Sequence, residues 1–69
     1  EGLLMRYSRA DLKSIAEGYG ECLIGGWSER RCLEDMAQYY FSEGERLRVV
    51  TLMWRYHDVQ KGVGNQWDD

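Results

Sequence analysis

An all-α domain is the fold class this sequence predicts, and three observations predict it. The chain contains no proline. Only seven of its 69 residues are β-branched, which leaves little material for strands. Its apolar residues recur three and four apart, the spacing of one helix face. The expected form is a small helical hairpin or three-helix domain, intertwined or side by side in a homodimer. Residues 8–61 make one helical domain between an N-terminal extension, 1–7, and a polar tail, 62–69. Met5 is a candidate native start.

The first helix is expected over about 9–24. Ser8 and Asp11 have the spacing of a capping box. Leu12, Ile15, Ala16, Tyr19, Cys22 and Leu23 then form a narrow apolar stripe, with Lys13, Ser14, Glu17 and Glu21 opposite. Gly18 projects to the wet side, and Gly20 lies beside the stripe, where it would allow a close helix approach. Gly25 and Gly26 end the helix.

Ser28 is a good N-cap for a second helix, expected over about 29–42. Trp27 before it could staple onto Cys32. Cys32, Leu33, Met36, Ala37, Tyr39, Tyr40 and Phe41 give this segment a broad apolar face. At least two of the three consecutive aromatics, Tyr39, Tyr40 and Phe41, are expected to be buried. Ser42 and Glu45 form another capping box, so the chain should break there and begin a third helix, 43–61. Against the break, a three-and-four spacing runs on from Leu33 to Lys61, which would suit one long helix.

The third helix carries more apolar circumference than one neighbour can cover. On a wheel, Arg48, Thr51, Arg55 and Asp58 share an arc of roughly 80°, and apolar residues fill most of the remaining ~240°. Leu47, Val50, Met53 and Trp54 are assigned to the chain's own core. Val49, Leu52, Tyr56 and Val59 are assigned to a second copy, since twofold dimers are the commonest oligomers.

Composition narrows the functional classes. The net charge is −3 and the pI about 5.0, unfavourable for a nucleic-acid binder. Arginine outnumbers lysine seven to two, and arginine is favoured at contacts that use its planar fork. No apolar run reaches the length of a membrane span, and a cytoplasmic location is the default expectation. Cys22 and Cys32 lack the close pairing of a zinc site, and the one histidine, His57, is distant in sequence. Two reduced thiols are expected in preference to a disulfide. "GYGECLIGG" lacks the GK[ST] ending of a phosphate loop. Tyr56 and Asp58 flank His57, but neighbouring helical residues diverge by about 100°, so no triad is expected. Glu17, Glu21, Glu34 and Asp35 read as solvated carboxylates. No enzyme, cofactor or metal is expected.

The reading that remains is a small protein-binding modulator: an inhibitor, anti-activator or adaptor that contacts itself and an unidentified protein partner. Short acidic chains of this kind are common among viral and mobile-element accessory genes, as a background expectation. Tyr39, Tyr40, Phe41, Arg48 and Arg55 are the candidate contacts, with Trp67 in the tail. The alternative is a helix-turn-helix DNA-binding regulator built on the first two helices around "GGWS". Arg30 and Arg31 would then approach DNA, although Glu29, Glu34 and Asp35 would oppose the same phosphates.

Overall fold

The computed structural model describes residues 7–63, and among them all regular structure is helical: α1 Arg9–Ile24, α2 Glu29–Met36 and α3 Glu43–Gln60. Each helix starts at a serine whose side-chain oxygen accepts the backbone N–H three residues on: Ser8 from Asp11, Ser28 from Arg31 and Ser42 from Glu45. Ser8 and Ser42 complete reciprocal capping boxes with Asp11 and Glu45. The chain therefore breaks before Glu43, and the continuous helix that its apolar spacing also allowed does not form. Gly26 takes a positive φ of 113° after α1, a conformation that side chains resist.

α1 and α3 run in the same direction. Arg9 and Leu12 line a cavity with Gly44, Glu45 and Arg48, which puts the two helix starts together. Further along, Gly20 meets the ring of Tyr56, and the Tyr56 hydroxyl donates to Glu21. Such a parallel arrangement needs a return path about as long as α1, ~24 Å. α2 supplies roughly 12 Å of it at 1.5 Å per residue. The six residues 37–42 supply the rest, since extended chain covers up to about 3.3 Å per residue.

The core lies between α1 and α3 and is closed by α2. Leu12, Ala16, Tyr19 and Leu23 come from α1, Cys32 and Met36 from α2, and Val49, Leu52 and Met53 from α3. Ala16 and Gly20 are small, so α3 can approach α1 closely on that side. Val49, Leu52 and Met53 have no exposed surface at all. Burying each of these large side chains is worth about 1.5–3 kcal/mol.

This arrangement corrects part of the flank assignment made from the wheel: Met53 is in the core and Val50 and Trp54 pack on it, as expected, but three other residues change places. Val49 and Leu52, expected to await a second copy, are sealed inside the monomer. Tyr56 and Val59 are half-buried, and the Tyr56 ring packs on Gly20. Leu47, expected in the core, is 67% exposed. The apolar arc is instead covered from two sides by the same chain. α1 takes the Val49–Leu52 flank. α2 reaches the other, where the Trp54 indole N–H donates to Glu29 and Trp54 and Val50 pack on the core. A wheel shows that two flanks are apolar but not which one meets α1.

α2 is shorter than expected, ending at Met36 rather than near residue 42. The reason lies in the helical phase. Had α2 continued, Phe41 would stand about 180° from Cys32, and Tyr40 would face inward in its place. The turn after Met36, closed by the Tyr39 N–H to the Met36 carbonyl, lets Phe41 enter the core and turns Tyr39 and Tyr40 outward. The expectation that two of these three rings are buried is thus corrected to one, Phe41. The ring without a hydroxyl is the one that goes inside, which avoids desolvating a phenol.

Candidate functional site

Because α2 is short, one flank of α1 stays partly uncovered, and aromatic rings frame the opening. Tyr7 precedes α1 and Phe41 precedes α3, and their ring centroids are 4.8 Å apart. Tyr39 lies against the same Phe41 at 5.9 Å. With Ile15 and Tyr19 of α1, these rings line a cavity of about 320 Å³. A second cavity, about 260 Å³, shares Ile15 and Tyr19 and continues past Gly18 and Cys22 to Trp27 and Asp35. The two adjoin at Ile15 and Tyr19 along α1, as an aromatic cleft at the Phe41 end and a carboxylate-bearing one at the Asp35 end.

One buried carboxylate fixes the walls. Glu45 is 1% exposed, and its two oxygens accept the backbone N–H groups of Ser42, at 2.7 Å, and of Tyr7, at 2.9 Å. The same side chain that caps α3 therefore pins the segment entering α1 beside it. The positive end of the α3 dipole favours the carboxylate at this position. Tyr7 and Phe41, 34 positions apart in sequence, face each other as a result.

Tyr19 links the two ends of the cleft. Its hydroxyl donates to an Asp35 oxygen at 2.6 Å. Burial, and then the hydrogen bond and charge of Asp35, push the Tyr19 phenol well above its ordinary pKa of 10.0. It is a fixed donor with no acid–base role near neutral pH. Two other groups are shifted upward. Burial raises the Cys32 pKa, with Cys22, Asp35 and Glu29 adding to the effect, so the thiolate that a nucleophile needs is disfavoured. The Tyr56 phenol is raised chiefly by its hydrogen bond to Glu21. Cys22 and Cys32 are both free thiols, the first half-buried and the second buried.

His57 is half-buried and hydrogen-bonded. Its Nδ1 lies 3.1 Å from Asp58 Oδ1, so adjacent helical residues do make contact here. The backbone directions diverge, but both side chains are long enough to bend toward each other. Trp54 meets the imidazole edge-on, with ring centroids 5.2 Å apart. The arrangement is a hydrogen-bonded histidine packed on an indole. Among the described residues no group of three or more histidine, cysteine or acidic side chains is placed to hold a metal ion.

The residues singled out in the sequence divide among three places. Tyr39 and Tyr40 are 52% and 74% exposed, Tyr39 at the cleft wall and Tyr40 next to it in the chain. Phe41 is buried as the wall between Tyr7 and Tyr39 and is not a free contact. Arg48 is half-buried in the cavity between the starts of α1 and α3, and Arg55 is on the exposed face of α3; neither lines the aromatic cleft. Trp67 lies outside the described residues. Sequence reasoning missed Tyr7, Ile15 and Tyr19 as cleft residues. Ile15 and Tyr19 read as plain core, and nothing local ties Tyr7 to Phe41. The usable signal was the Ser42–Glu45 capping box, whose glutamate has a second oxygen to satisfy if buried.

Compared with known proteins, the chain matches no family model, and neither a curated protein nor a solved structure is significantly similar to it.

Proposed function

We propose that this chain is a small helical protein-contact module, acting as an inhibitor, anti-activator or adaptor through the aromatic cleft and the neighbouring Tyr39–Tyr40 ridge. One observation carries the reading. Two consecutive tyrosines stand 52% and 74% exposed beside a cleft lined by further rings. Exposed tyrosines around a pocket are the composition of contact hot spots, where a rigid ring contributes area at little entropic cost.

The partner in this reading is a different protein. Self-pairing through Val49 and Leu52 is left out of this reading, since both are buried within the single chain. Light scattering at high micromolar concentration is expected to return the 8.1 kDa monomer, and a stable species of twice that mass would restore self-pairing. The DNA-binding alternative is less well supported. α2 has only eight residues. Arg30 lies 3.4 Å from Glu34, and the Arg31 guanidinium stacks 4.0 Å over Trp27.

The test is capture of partners from the native host with the tagged chain and with a Tyr39→Ala/Tyr40→Ala variant. Bound protein should be lost with the double variant and kept with Arg55→Ala. Retention by the folded double variant would show that the ridge is not the contact.

A further inference from the structure

We infer that the aromatic cleft is a socket for one cationic side chain, and that the partner presents an arginine to it. The inference rests on the protein-contact reading and specifies the chemistry of the contact. The Phe41 end of the cleft is bounded by four rings: Tyr7, Tyr19, Tyr39 and Phe41. Tyr7 and Tyr39 both pack on Phe41, tilted by 36° and 58°, so the rings that line the cavity are not coplanar. A cation enclosed by several π-faces is attracted by each ring's negative quadrupole, and more strongly where water is excluded.

A purely apolar guest would not use the second feature. Asp35 reaches the cleft at Tyr19, 2.6 Å from that hydroxyl, and also lines the adjoining cavity with Trp27. A guest that lies along the rings and ends near Asp35 therefore needs an apolar stem and a positive head, the description of an arginine or lysine. Arginine fits better, because its planar guanidinium both stacks on rings and pairs with a carboxylate. The chain itself provides an example next to the cleft, where Arg31 lies 4.0 Å over Trp27. Arg31 and Glu34 line the outer cavity with Asp35, and Glu34 pairs with Arg30, so Asp35 is the carboxylate that a guest's cation would meet. The net charge of −3 favours a basic partner as well.

The experiment titrates three acetylated, amidated tripeptides, Gly-X-Gly, into the labelled protein and follows the ring signals of Tyr7, Tyr39 and Phe41 by NMR. X is arginine, its neutral analogue citrulline, or norleucine. The arginine peptide should shift these rings saturably, with citrulline and norleucine about tenfold weaker or worse. Asp35→Asn keeps an acceptor for Tyr19 but removes the charge, and should weaken arginine binding without unfolding the chain. Tyr39→Leu, at a position already half exposed, should weaken it too. Equal binding of norleucine and arginine would overturn the cationic socket while leaving an apolar one, and with it the protein-contact reading. Absence of any shift would overturn the socket altogether. The capture experiment with Tyr39→Ala/Tyr40→Ala then judges the broader reading on its own.

Discussion

The α1–α3 pair and the stretch from α2 to Ser42 follow different logics. In the pair, two helices of 16 and 18 residues run side by side, and small residues on α1 admit larger ones from α3. The connecting stretch has one eight-residue helix, which buries only Cys32 and Met36, and then a turn that hides Phe41 but exposes Tyr39 and Tyr40. The first region puts most of its apolar residues into the fold, Leu47 apart, whereas the second leaves rings at the surface. A surplus of that kind is more informative about contact with other molecules than a greasy core helix. The core helix was the feature that stood out in the sequence, and Val49, Leu52 and Met53 on it are buried within the one chain, with Leu47 left exposed.

The largest expected effect tests that division within α3 itself. Leu52→Ala removes a side chain with no exposed surface and should cost about 2–5 kcal/mol. Leu47→Ala, on the same helix but 67% exposed, should change stability by less than about 0.5 kcal/mol. Urea unfolding of the two variants separates the cases. The Leu52 loss should not depend on protein concentration, because the cavity opens inside one chain. A concentration-dependent loss, or a larger effect at Leu47, would return Leu52 to an interface between chains.

The contrast also explains what could be read from the sequence. The boundaries at Ser8, Gly25, Ser28 and Ser42 were legible because each is fixed by chemistry within a few residues: a hydroxyl for an N–H, or a glycine at a helix end. On α3, Met53 was placed correctly in the core and Val50 and Trp54 against it, but Leu47 is exposed while Val49 and Leu52 are buried. Rotation of a helix about its axis depends on where its neighbours are, and no local pattern encodes that when two flanks are apolar. The end of α2 was misjudged for a related reason. "QYYF" has good helical spacing, and only the inward pull of Phe41 toward Tyr7, distant in sequence, favours stopping at Met36. The cleft inherits both difficulties, since it is built from a tyrosine before α1, a stripe on α1 and a turn before α3.

Within α1, two glycines one turn-fraction apart sharpen the comparison between a packed and an unpacked surface. A Cβ on Gly20 would lie 2.5 Å from Tyr56 Cδ2 and 3.1 Å from its Cβ, so the ring and α3 would have to move. Gly20→Ala should therefore destabilise by about 1–3 kcal/mol despite its better helix propensity. A Cβ on Gly18 meets nothing within 4 Å, and Gly18→Ala should stabilise by up to about 1 kcal/mol. Thermal melts of the two single variants should move in opposite directions. A stabilising Gly20→Ala would mean that α3 does not lie against that face of α1.

The smallest effect concerns the link between the two regions, the Tyr19–Asp35 hydrogen bond from α1 to α2. Tyr19→Phe should cost about 1 kcal/mol near neutral pH, where the phenol is protonated and the bond is made. Its signature is in the pH dependence. The folded phenol titrates above the ordinary value of 10.0, so the folded state holds its proton more tightly than the unfolded chain does. That contribution is complete below about pH 10 and is lost as pH rises toward the folded-state value. Urea midpoints measured from about pH 8 to about pH 11 should fall more steeply for the wild type than for Tyr19→Phe. The difference between the two curves removes the other tyrosines, which titrate in both. Curves that fall in parallel would mean that Tyr19 does not donate to Asp35 in the folded chain. α2 would then be held to α1 by the burial of Cys32 and Met36 alone.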